Sequence, residues 1–464
     1  MSWLSTSARG CPDAIWSTDR VAGAATGVGG RLGRFAVMSA LSRTLHTLLT
    51  NDYNRGVSKE GVLLPFVAFP ELGHAEHFWH ADEAYASRAA IAAANGPYRS
   101  TITPPIVDYI PQHPSGLAAE VAEAEAALVQ FDQYARLVLG AGNPGLGPMS
   151  SILLRTESAS SSQIENLTVG ARQLALAELG QAKSDNARVV TANVRTMEAA
   201  LALSGRLDED SILAMHRELL SGQQGWEEHA GKYRDRLVWV GSSAITPRGA
   251  AHVAPQPELV PAAMADLVSF LRRRDIPVVA HVAIAHAQFE TVHPFVDGNG
   301  RTGRALVHAM LAAAGVLRST TAPISAGLLR DVEPYFAALG DFRSGDAGPI
   351  IAAFADASLF AARSGAQLVD DLAAQVDQAR QQLAGLRKDA AGWTVLPHLV
   401  AHPVINARFL TSQLGMSDVT AQRALDQLTR AGVLIERTGL KRNRVYQHDG
   451  TLEILDAYAQ QLRR

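Results

Sequence analysis

The chain has 464 residues, of which 47% are hydrophobic and 19% are charged, and its formal net charge is −3. This length predicts about three domains, and the apolar content is too high for an intrinsically disordered chain. The near-neutral charge excludes a protein that is basic throughout, and the single cysteine, Cys11, excludes internal disulfides and thiolate metal clusters. No apolar run is long enough to span a membrane, so we expect a soluble, cytoplasmic protein.

The first part of the chain shows little regular pattern. Residues 1–37 contain a Gly-rich stretch and predict a disordered leader, or a start site placed too far upstream of Met38. Residues 38–154 are predicted as an N-terminal region that is irregular as far as Pro114 and helical after it.

Amphipathic helices are predicted from Leu117, because apolar side chains recur every three or four residues as far as Val138. A Gly/Pro loop is expected from there to Pro148. Two short apolar runs within 237–254 predict the only convincing hairpin. Further helical patterns cover residues 166–180, 187–203, 208–220, 278–289, 306–317 and 368–386. The sum predicts a mainly α fold.

The most informative segment is the Gly-rich stretch 293–304, His-Pro-Phe-Val-Asp-Gly-Asn-Gly-Arg-Thr-Gly-Arg. Its GxGxxG pattern matches a dinucleotide fingerprint, but it follows a helix, and the acidic residue that a Rossmann fold needs is missing downstream. Glycine backbone N–H groups and a helix N-terminus can nevertheless bind phosphate. Arg301 and Arg304 oppose the helix dipole there and need a compensating anion. Asp297 can hold Mg²⁺, and His293 can accept a proton from a hydroxyl.

This segment resembles the active-site motif of the Fic family, HPFx(D/E)GNGRxxR, at every defined position. The resemblance implies a helical Fic fold with a catalytic core at 155–345 and a β-hairpin flap near 237–254. It implies transfer of AMP from ATP to a protein hydroxyl, with His293 as general base and Asp297 as the Mg²⁺ residue. The residues that it implies for ATP and phosphate binding are Gly298, Asn299, Gly300, Arg301, Thr302, Gly303 and Arg304.

An upstream glutamate has two interpretations. Ser162-Gln-Ile-Glu165 predicts a capping box that opens a helix. The overlapping segment from Ser161 to Asn166 also resembles the Fic inhibitory motif, (S/T)xxxE(G/N). That resemblance implies that Glu165 pairs with Arg304 and takes the arginine that the γ-phosphate of ATP needs. Capping and inhibition are compatible.

Residues on either side of the motif give weaker signals. Gly231-Lys-Tyr-Arg234 resembles the segment that leads into the Fic flap. Tyr335 lies in a stretch that resembles a family segment ending in two tyrosines, which makes it a candidate nucleotide contact, although Phe336 stands at the second tyrosine position. His281 and His286 are poorly spaced for a metal pair and are predicted to be packing residues.

The C-terminal region is predicted as connecting helices at 346–392 and a winged helix-turn-helix at 393–464. Between residues 406 and 448, seven basic and three acidic side chains give a local charge of +4. A DNA-binding interpretation assigns base or phosphate contacts to Thr420, Gln422, Arg423, Lys441 and Arg442. A dimerisation or target-docking module is the alternative.

Three functions therefore stay open. The first is a Mg²⁺-dependent protein adenylyltransferase that uses ATP and is inhibited by Glu165. The second is a DNA-binding regulator that uses the Fic domain as a nucleotide sensor. The third is a Fic enzyme that transfers another nucleotidyl or phosphoryl group, or removes AMP. The intact His293 and Asp297 favour an enzyme, whereas the protein target and a homodimer are not readable from the sequence.

Overall fold

The computed structural model describes residues 66–81, 87–139, 146–182, 184–221, 223, 225–241, 245–440 and 443–462. The chain divides into two compact units, residues 1–64 and 65–464, and all the described residues belong to the second. The predicted leader at 1–37, Cys11 and Met38 lie outside the described residues.

The second unit is built mainly from helices, which confirms the predicted fold class. The helices are α1 (Arg88–Ala94), α2 (Ser115–Leu139), α3 (Leu146–Ile164), α4 (Ala171–Glu178), α5 (Asp185–Ala202), α6 (Glu209–Leu220), α7 (Val260–Leu271), α8 (Val278–Val292), α9 (Asn299–Ala313), α10 (Ile324–Arg330), α11 (Val332–Arg343), α12 (Gly348–Gln382), α13 (Ala391–Val395), α14 (Ala407–Leu414), α15 (Asp418–Arg430) and α16 (Asp449–Gln461). Within the described ranges, no helix is long and apolar enough to cross a membrane.

Helices α2 and α12 form one long packed pair. The predicted apolar stripe of α2 is buried, with Leu128 and Phe131 fully enclosed. Gly365 of α12 permits the close approach, because a Cβ atom there would lie 2.9 Å from the Phe131 ring. Tyr134 donates a hydrogen bond to Asp370 across the same interface. The loop expected to reach Pro148 is shorter than predicted, because α3 already begins at Leu146.

Helix α8 is the centre of the core. Every residue from Val279 to Val292 is buried, including polar ones, so neighbouring helices surround it on all sides. Helix α9 follows it after a short loop and is also buried over most of its length. The two helices and the loop between them therefore form a rigid base for anything placed on that loop.

The strands form small antiparallel sheets: β1 (Gly73–Trp79) with β2 (Gly96–Ile102), β3 (Trp239–Val240) with β4 (His252–Val253), and β5 (Val404–Ile405), β7 (Tyr446–Gln447) and β6 (Ile435–Glu436) in that order. The β1–β2 pair corrects the expectation of an irregular segment before Pro114. Its pattern is hard to read from sequence, because β1 is exposed on one face and only half-buried on the other.

The predicted flap hairpin is present but shorter than expected, at two residues per strand. The region around β1 and β2 braces it. The Trp79 indole N–H donates to the carbonyl of Ile245 at 2.8 Å, and its ring packs edge-on against Trp239. Arg248 donates to the carbonyls of Ala93 and Asn95 at 2.8 and 2.7 Å. The loop of the flap is thus tied to the N-terminal part of the described chain.

The C-terminal region has the order helix, strand, helix, helix, strand, strand, from α13 to β7. Ser417 caps α15, because its side chain accepts a hydrogen bond from the backbone N–H of Thr420. The apolar core of the region includes Ala379 and Leu383 from the end of α12, so it is continuous with the rest of the unit. Its assignment as a winged helix, and the domain boundaries given above, stay predictions.

Candidate active site

The candidate base His293 lies at the C-terminal end of α8. Its backbone is left-handed, with φ of 49°, and its N–H closes the helix on the carbonyl of Phe289. The ring Nδ1 lies 3.3 Å from the backbone carbonyl of Glu290, which leaves Nε2 as the basic nitrogen. Burial, with the charge of Arg343 second, lowers the pKa of His293 to about 4. The imidazole is therefore neutral at pH 7.

The loop after His293 is held by its own side chains. Asn299 accepts from the backbone N–H of Phe295 at 2.8 Å and donates to the carbonyl of the same residue at 2.9 Å. Gly298 has φ of 76°, and a Cβ atom there would lie 2.5 Å from Leu219. A larger residue at 298 would therefore displace either the loop or α6. The Asn299 side chain shapes the loop from within.

His216 of α6 packs against the loop and holds it through contacts with Phe295 and Asp297. This residue was not identified from the sequence. Its Nδ1 accepts from the backbone N–H of Gly231, so its Nε2 donates to the carbonyl of Asp297 at 3.0 Å. Its ring stacks on Phe295 with centroids 3.7 Å apart. Burial lowers the pKa of His216 to about 4, which keeps this tautomer neutral.

The two arginines at the start of α9 share one carboxylate. Glu165 places Oε1 2.7 Å from Nη2 of Arg304 and Oε2 2.7 Å from Nε of Arg301. Arg304 also donates to the hydroxyl and the carbonyl of Ser161, at 2.9 and 2.8 Å. Both arginines are 3% exposed. Glu165 thus supplies the anion that two buried cations at a helix N-terminus require.

The capping-box prediction for Glu165 is wrong. Helix α3 ends at Ile164, so Ser162 and Glu165 lie at a helix C-terminus, and the predicted helix at 166–180 begins only at Ala171. Asn166, with φ of 63°, turns the chain away from the helix axis. The Ser162 hydroxyl is buried against Asn193 of α5 instead of capping a helix.

These groups surround a cavity of about 540 Å³. Its walls are the end of α3, the flap strands, residues 296–300 of the loop, and one face of α11. His293, Asp297 and Arg304 line it together with Gly298, Asn299 and Gly300. Arg301 does not line it, because its side chain is 3% exposed and lies against Glu165 and Asp297. Thr302 and Gly303 do not line it either: Thr302 is fully buried, and Gly303 packs against Phe289 with room for no Cβ atom. Their predicted phosphate contacts find no counterpart in the walls of the cavity.

Asp297 is the carboxylate available to a divalent cation. Its side chain is 38% exposed, and Oδ2 lies 3.1 Å from Nη2 of Arg301. In the described ranges, no group of three or more His, Cys, Asp or Glu side chains could hold a metal ion. Mg²⁺ commonly uses one or two carboxylates together with substrate phosphates, so a lone carboxylate beside the candidate phosphate loop fits that ion.

Tyr335, the candidate nucleotide contact, lines the aromatic end of the cavity. This side chain is 2% exposed, and its hydroxyl lies 2.7 Å from Nε2 of His286. Burial raises the pKa of Tyr335. Phe336 lines the cavity mouth and is 51% exposed. His281 bonds to the carbonyl of Phe270 at 2.9 Å, so the two histidines of α8 make separate contacts.

Two further groups of the site were not predicted from the sequence. Glu290, one helical turn before His293, is buried and lines the cavity. Arg234 was noted only as part of a family-like segment, and its guanidinium donates to the carbonyls of His293 and Pro255 at 2.8 and 2.6 Å. The spacing of Glu290 and His293 on one helix face is the signal that could have revealed the first.

The residues predicted to contact DNA lie on α15 or beyond the described residues. Gln422 and Arg423 are exposed, next to Val419, which is 70% exposed. The Thr420 hydroxyl bonds to Ser417 at the start of the helix. Lys441 and Arg442 lie outside the described residues.

Comparison with known proteins covers the helical core. Residues 206–311 match the Fic/DOC family and residues 118–202 match the Fic/DOC family N-terminal region. Protein adenylyltransferase fic-1 of Caenorhabditis briggsae is 36% identical over 145 residues, 31% of this chain and 25% of the relative. Its namesake in Caenorhabditis elegans is 34% identical over 167 residues, 33% of this chain and 30% of the relative.

A bacterial relative and a solved structure are also similar to this chain. A probable protein adenylyltransferase of Aquifex aeolicus is 38% identical over 98 residues, 21% of this chain and 28% of the relative. A crystal structure of a Fic family protein from Desulfovibrio desulfuricans G20 aligns with 23% identity and a TM-score of 0.43, covering 76% of this chain and 98% of that one. The chain spans less than a third of the length of these curated relatives. The motif is complete from His293 to Arg304, and residues 118–202 and 206–311 match the two Fic/DOC family regions, so this chain carries a Fic domain at residues 206–311.

Proposed function

We propose that this chain transfers AMP from ATP to a hydroxyl side chain of a protein, and that Glu165 holds this activity off. One observation carries the proposal: the Glu165 carboxylate occupies both arginines at the start of α9, beside a cavity that also presents His293 and Asp297. Relatives named protein adenylyltransferase support it.

The chain's own groups fit each part of this transfer. The backbone of Gly298–Gly300 and the N-terminus of α9 would hold the phosphates. The target hydroxyl oxygen forms a bond to the α-phosphorus, and the bond from that phosphorus to the bridging oxygen breaks with its electron pair leaving on pyrophosphate. The hydroxyl proton passes to Nε2 of His293, which is neutral and free to accept it.

Asp297 is the residue that would hold Mg²⁺, which when bound neutralises charge on the phosphates and the leaving group. Besides the metal ion, Arg301 and Arg304 would supply positive charge to the phosphates. Both side chains are buried, so they are oriented before a nucleotide arrives. Positioning and charge stabilisation of this kind supply most of the catalysis expected for such a transfer.

Inhibition follows from competition for the same cations. A γ-phosphate can use Arg304 only when the Glu165 carboxylate, now 2.7 Å away, withdraws. Arg301 is engaged by the same carboxylate, so both cations are affected together. ATP that binds while Glu165 stays in place would be held with its α-phosphate misaligned for attack.

The flap is the proposed docking element for the target. Val240 of β3 lines the cavity and is 45% exposed, so an extended target segment could add to this strand beside His293. A purely structural hairpin is the alternative interpretation of the same element.

The experiment uses ATP labelled on the α- or the γ-phosphate, with the purified protein and a cell lysate. We expect α-label to enter protein, and Glu165→Gly to raise its incorporation at least about tenfold, because each buried charged contact is worth about 1.5–3 kcal/mol. Adding His293→Ala should lower it about 100-fold or more. Parallel reactions with α-labelled CTP, GTP and UTP identify the nucleotide that is used.

Entry of γ-label instead of α-label would contradict AMP transfer. Labelling that Glu165→Gly leaves unchanged would contradict inhibition by Glu165.

A second function, DNA binding through α15, is favoured by the exposed face that carries Val419, Gln422 and Arg423. Duplex binding should weaken steeply with salt if phosphate contacts contribute. Arg423→Ala should weaken it, whereas Glu453→Ala on the exposed face of α16 should not. No binding at low salt would favour a docking role for this region.

A further inference from the structure

The carboxyl group of Glu290 has no assigned role, although it is enclosed directly beneath His293. The side chain lies one turn earlier on α8, is 7% exposed and lines the cavity. Its Oε2 lies 3.6 Å from Nδ1 of His293. Its Oε1 is buried without a hydrogen-bond partner among the described residues. A buried carboxyl group with a free oxygen is costly and calls for a physical reason.

The crossing of α8 and α9 leaves space for the Glu290 carboxyl group. Gly303 of α9 faces it, and a Cβ atom at Gly303 would approach Oε1 of Glu290 to 3.1 Å. Arg343 of α11 donates to the backbone carbonyl of Glu290 at 3.1 Å, which fixes the helix end that carries both Glu290 and His293. The position of the carboxyl is therefore set by three helices.

The surroundings of His293 disfavour the protonated imidazolium. Burial and the positive charges of Arg343 and Arg234 lower its pKa to about 4, which makes it a weak base. The Glu290 carbonyl at 3.3 Å determines which nitrogen carries the hydrogen, but it adds no full negative charge. A carboxylate at 3.6 Å can stabilise the imidazolium that forms when the base accepts a proton, as in other acid–histidine pairs.

We propose that Glu290 is a positioning residue for His293, whose carboxylate faces Nδ1 and stabilises the imidazolium formed as the target hydroxyl loses its proton. This inference rests on the proposed transfer reaction. It extends that proposal to a residue outside the His293–Arg304 segment.

The titration of Glu290 depends on groups from every element around it. Burial raises its pKa to about 7, with Arg304 opposing the shift, Glu165 adding to it and Arg343 opposing it. Below that value the carboxyl is neutral and its help to His293 is lost. The titratable and charged groups that face this part of the site are Glu165 at the end of α3, Arg234, His252 of β4, His286 and His293 on α8, Arg304 of α9, and Tyr335 and Arg343 of α11.

The test compares Glu290→Gln with the parent in a Glu165→Gly background, where transfer is measurable. We expect kcat to fall about 10- to 100-fold, within the range that general-base catalysis contributes. KM for ATP should change less than about twofold, because Glu290 contacts the base and not the phosphates. The Glu165→Gly background removes a like charge that raises the pKa of Glu290, so the rise of kcat with pH shifts to lower pH, and Glu290→Gln should flatten that rise. Glu333→Gln, an exposed site on α11, is the matched control.

A second readout does not need activity. NMR titration of the His293 ring in the Glu165→Gly protein should show its pKa lowered by Glu290→Gln, by about one unit or more. An unchanged ring pKa, or an unchanged pH profile and kcat, overturns the proposal. If the Glu165→Gly parent itself transfers no label, the proposed function fails, whereas the NMR result still decides whether Glu290 supports His293.

Discussion

Single side chains determine how the candidate site carries its charge. Arg301 and Arg304 sit at the positive end of α9, where cations are unfavourable, and each is almost fully buried. Glu165 pairs with both arginines and Asp297 pairs with Arg301, so each cation has a carboxylate partner without a nucleotide. In the proposed function, the inhibited state and phosphate binding are therefore two uses of the same cations.

The loop between α8 and α9 depends on Asn299. Replacing it with Ala removes two hydrogen bonds to Phe295 and leaves a buried N–H and a buried carbonyl unpaired. We expect Asn299→Ala to lower the free energy of unfolding by about 2–4 kcal/mol, measured by urea denaturation. Asn299→Asp keeps the acceptor but places an oxygen against the Phe295 carbonyl in a buried site, so it should also lower the free energy of unfolding. An Ala variant as stable as the parent would contradict this role.

The residues of the site differ in how well the sequence predicts them. The stretch from His293 to Arg304 is contiguous, so its pattern alone identifies the loop, the base and both arginines. Glu290 and His216 were missed because their roles come from burial against other helices, which a local pattern does not contain. Thr302 and Gly303 belong to the motif but face the core.

At the level of elements, the segment that carries Glu165 is held at both ends. Upstream, two hydrogen bonds hold the end of α3: Arg304 donates to the Ser161 hydroxyl, and Asn193 donates to the Ser162 hydroxyl. Downstream, α4 has no side-chain cap of its own at Gly170. Asp456 of α16 accepts a hydrogen bond from the backbone N–H of Ala171 at 3.0 Å and so acts as the N-terminal cap of α4. The C-terminal region therefore helps to fix the segment that carries Glu165.

This arrangement predicts that Asp456→Ala raises AMP transfer by a few-fold, less than Glu165→Gly does. Loss of an N-terminal cap costs about 1 kcal/mol, which loosens α4 and the residues before it. In a Glu165→Gly background the same change should have no further effect, because the carboxylate is already gone.

The comparison of initial rates for the two single variants and the double variant checks this. Glu453→Ala, an exposed acidic residue on the same helix, is the control. Independent, additive effects of Asp456→Ala and Glu165→Gly would contradict the coupling.

Elements with strong periodicity were predicted well, and those defined by distant contacts were not. The stripe of α2 and the helix α6 were identified because the apolar periodicity of each is a local signal. The β1–β2 pair was missed because its strands pair across α1 and expose one face. The end of α3 was misread because a serine–glutamate spacing is the same at a helix start and a helix end.

On the scale of the whole molecule, buried histidines make the fold sensitive to acid. Burial lowers the pKa of His216, His293 and His448 to about 4 and that of His286 to about 3. Each of these histidines is neutral in the folded state, whereas in the unfolded state it takes up a proton below pH about 6.5. Proton binding therefore favours the unfolded state, and the free energy of unfolding falls as pH drops below about 6.5. Glu290, with a pKa raised to about 7, acts in the opposite direction over the same range.

Burial also lowers the pKa of His252 to about 2. Because the effect of these histidines outweighs that of Glu290, we expect the free energy of unfolding to fall between pH 7 and pH 5. Each such histidine contributes about 2 kcal/mol over that interval, and Glu290 offsets roughly one of them. Urea denaturation midpoints at the two pH values measure the change. Equal midpoints, or a higher one at pH 5, would contradict the assignment of these histidines as buried and neutral.

The central claim is that Glu165 and the outer phosphates of ATP compete for Arg301 and Arg304. The most direct measurement is calorimetric binding of Mg-ATP and of AMP to the parent protein and to Glu165→Gly, both carrying His293→Ala to prevent turnover. We predict that Glu165→Gly tightens ATP binding about tenfold, the factor that corresponds to about 1.4 kcal/mol. AMP, which has no outer phosphates, should change less than about twofold. Equal changes for the two nucleotides, or none for ATP, would contradict the claim.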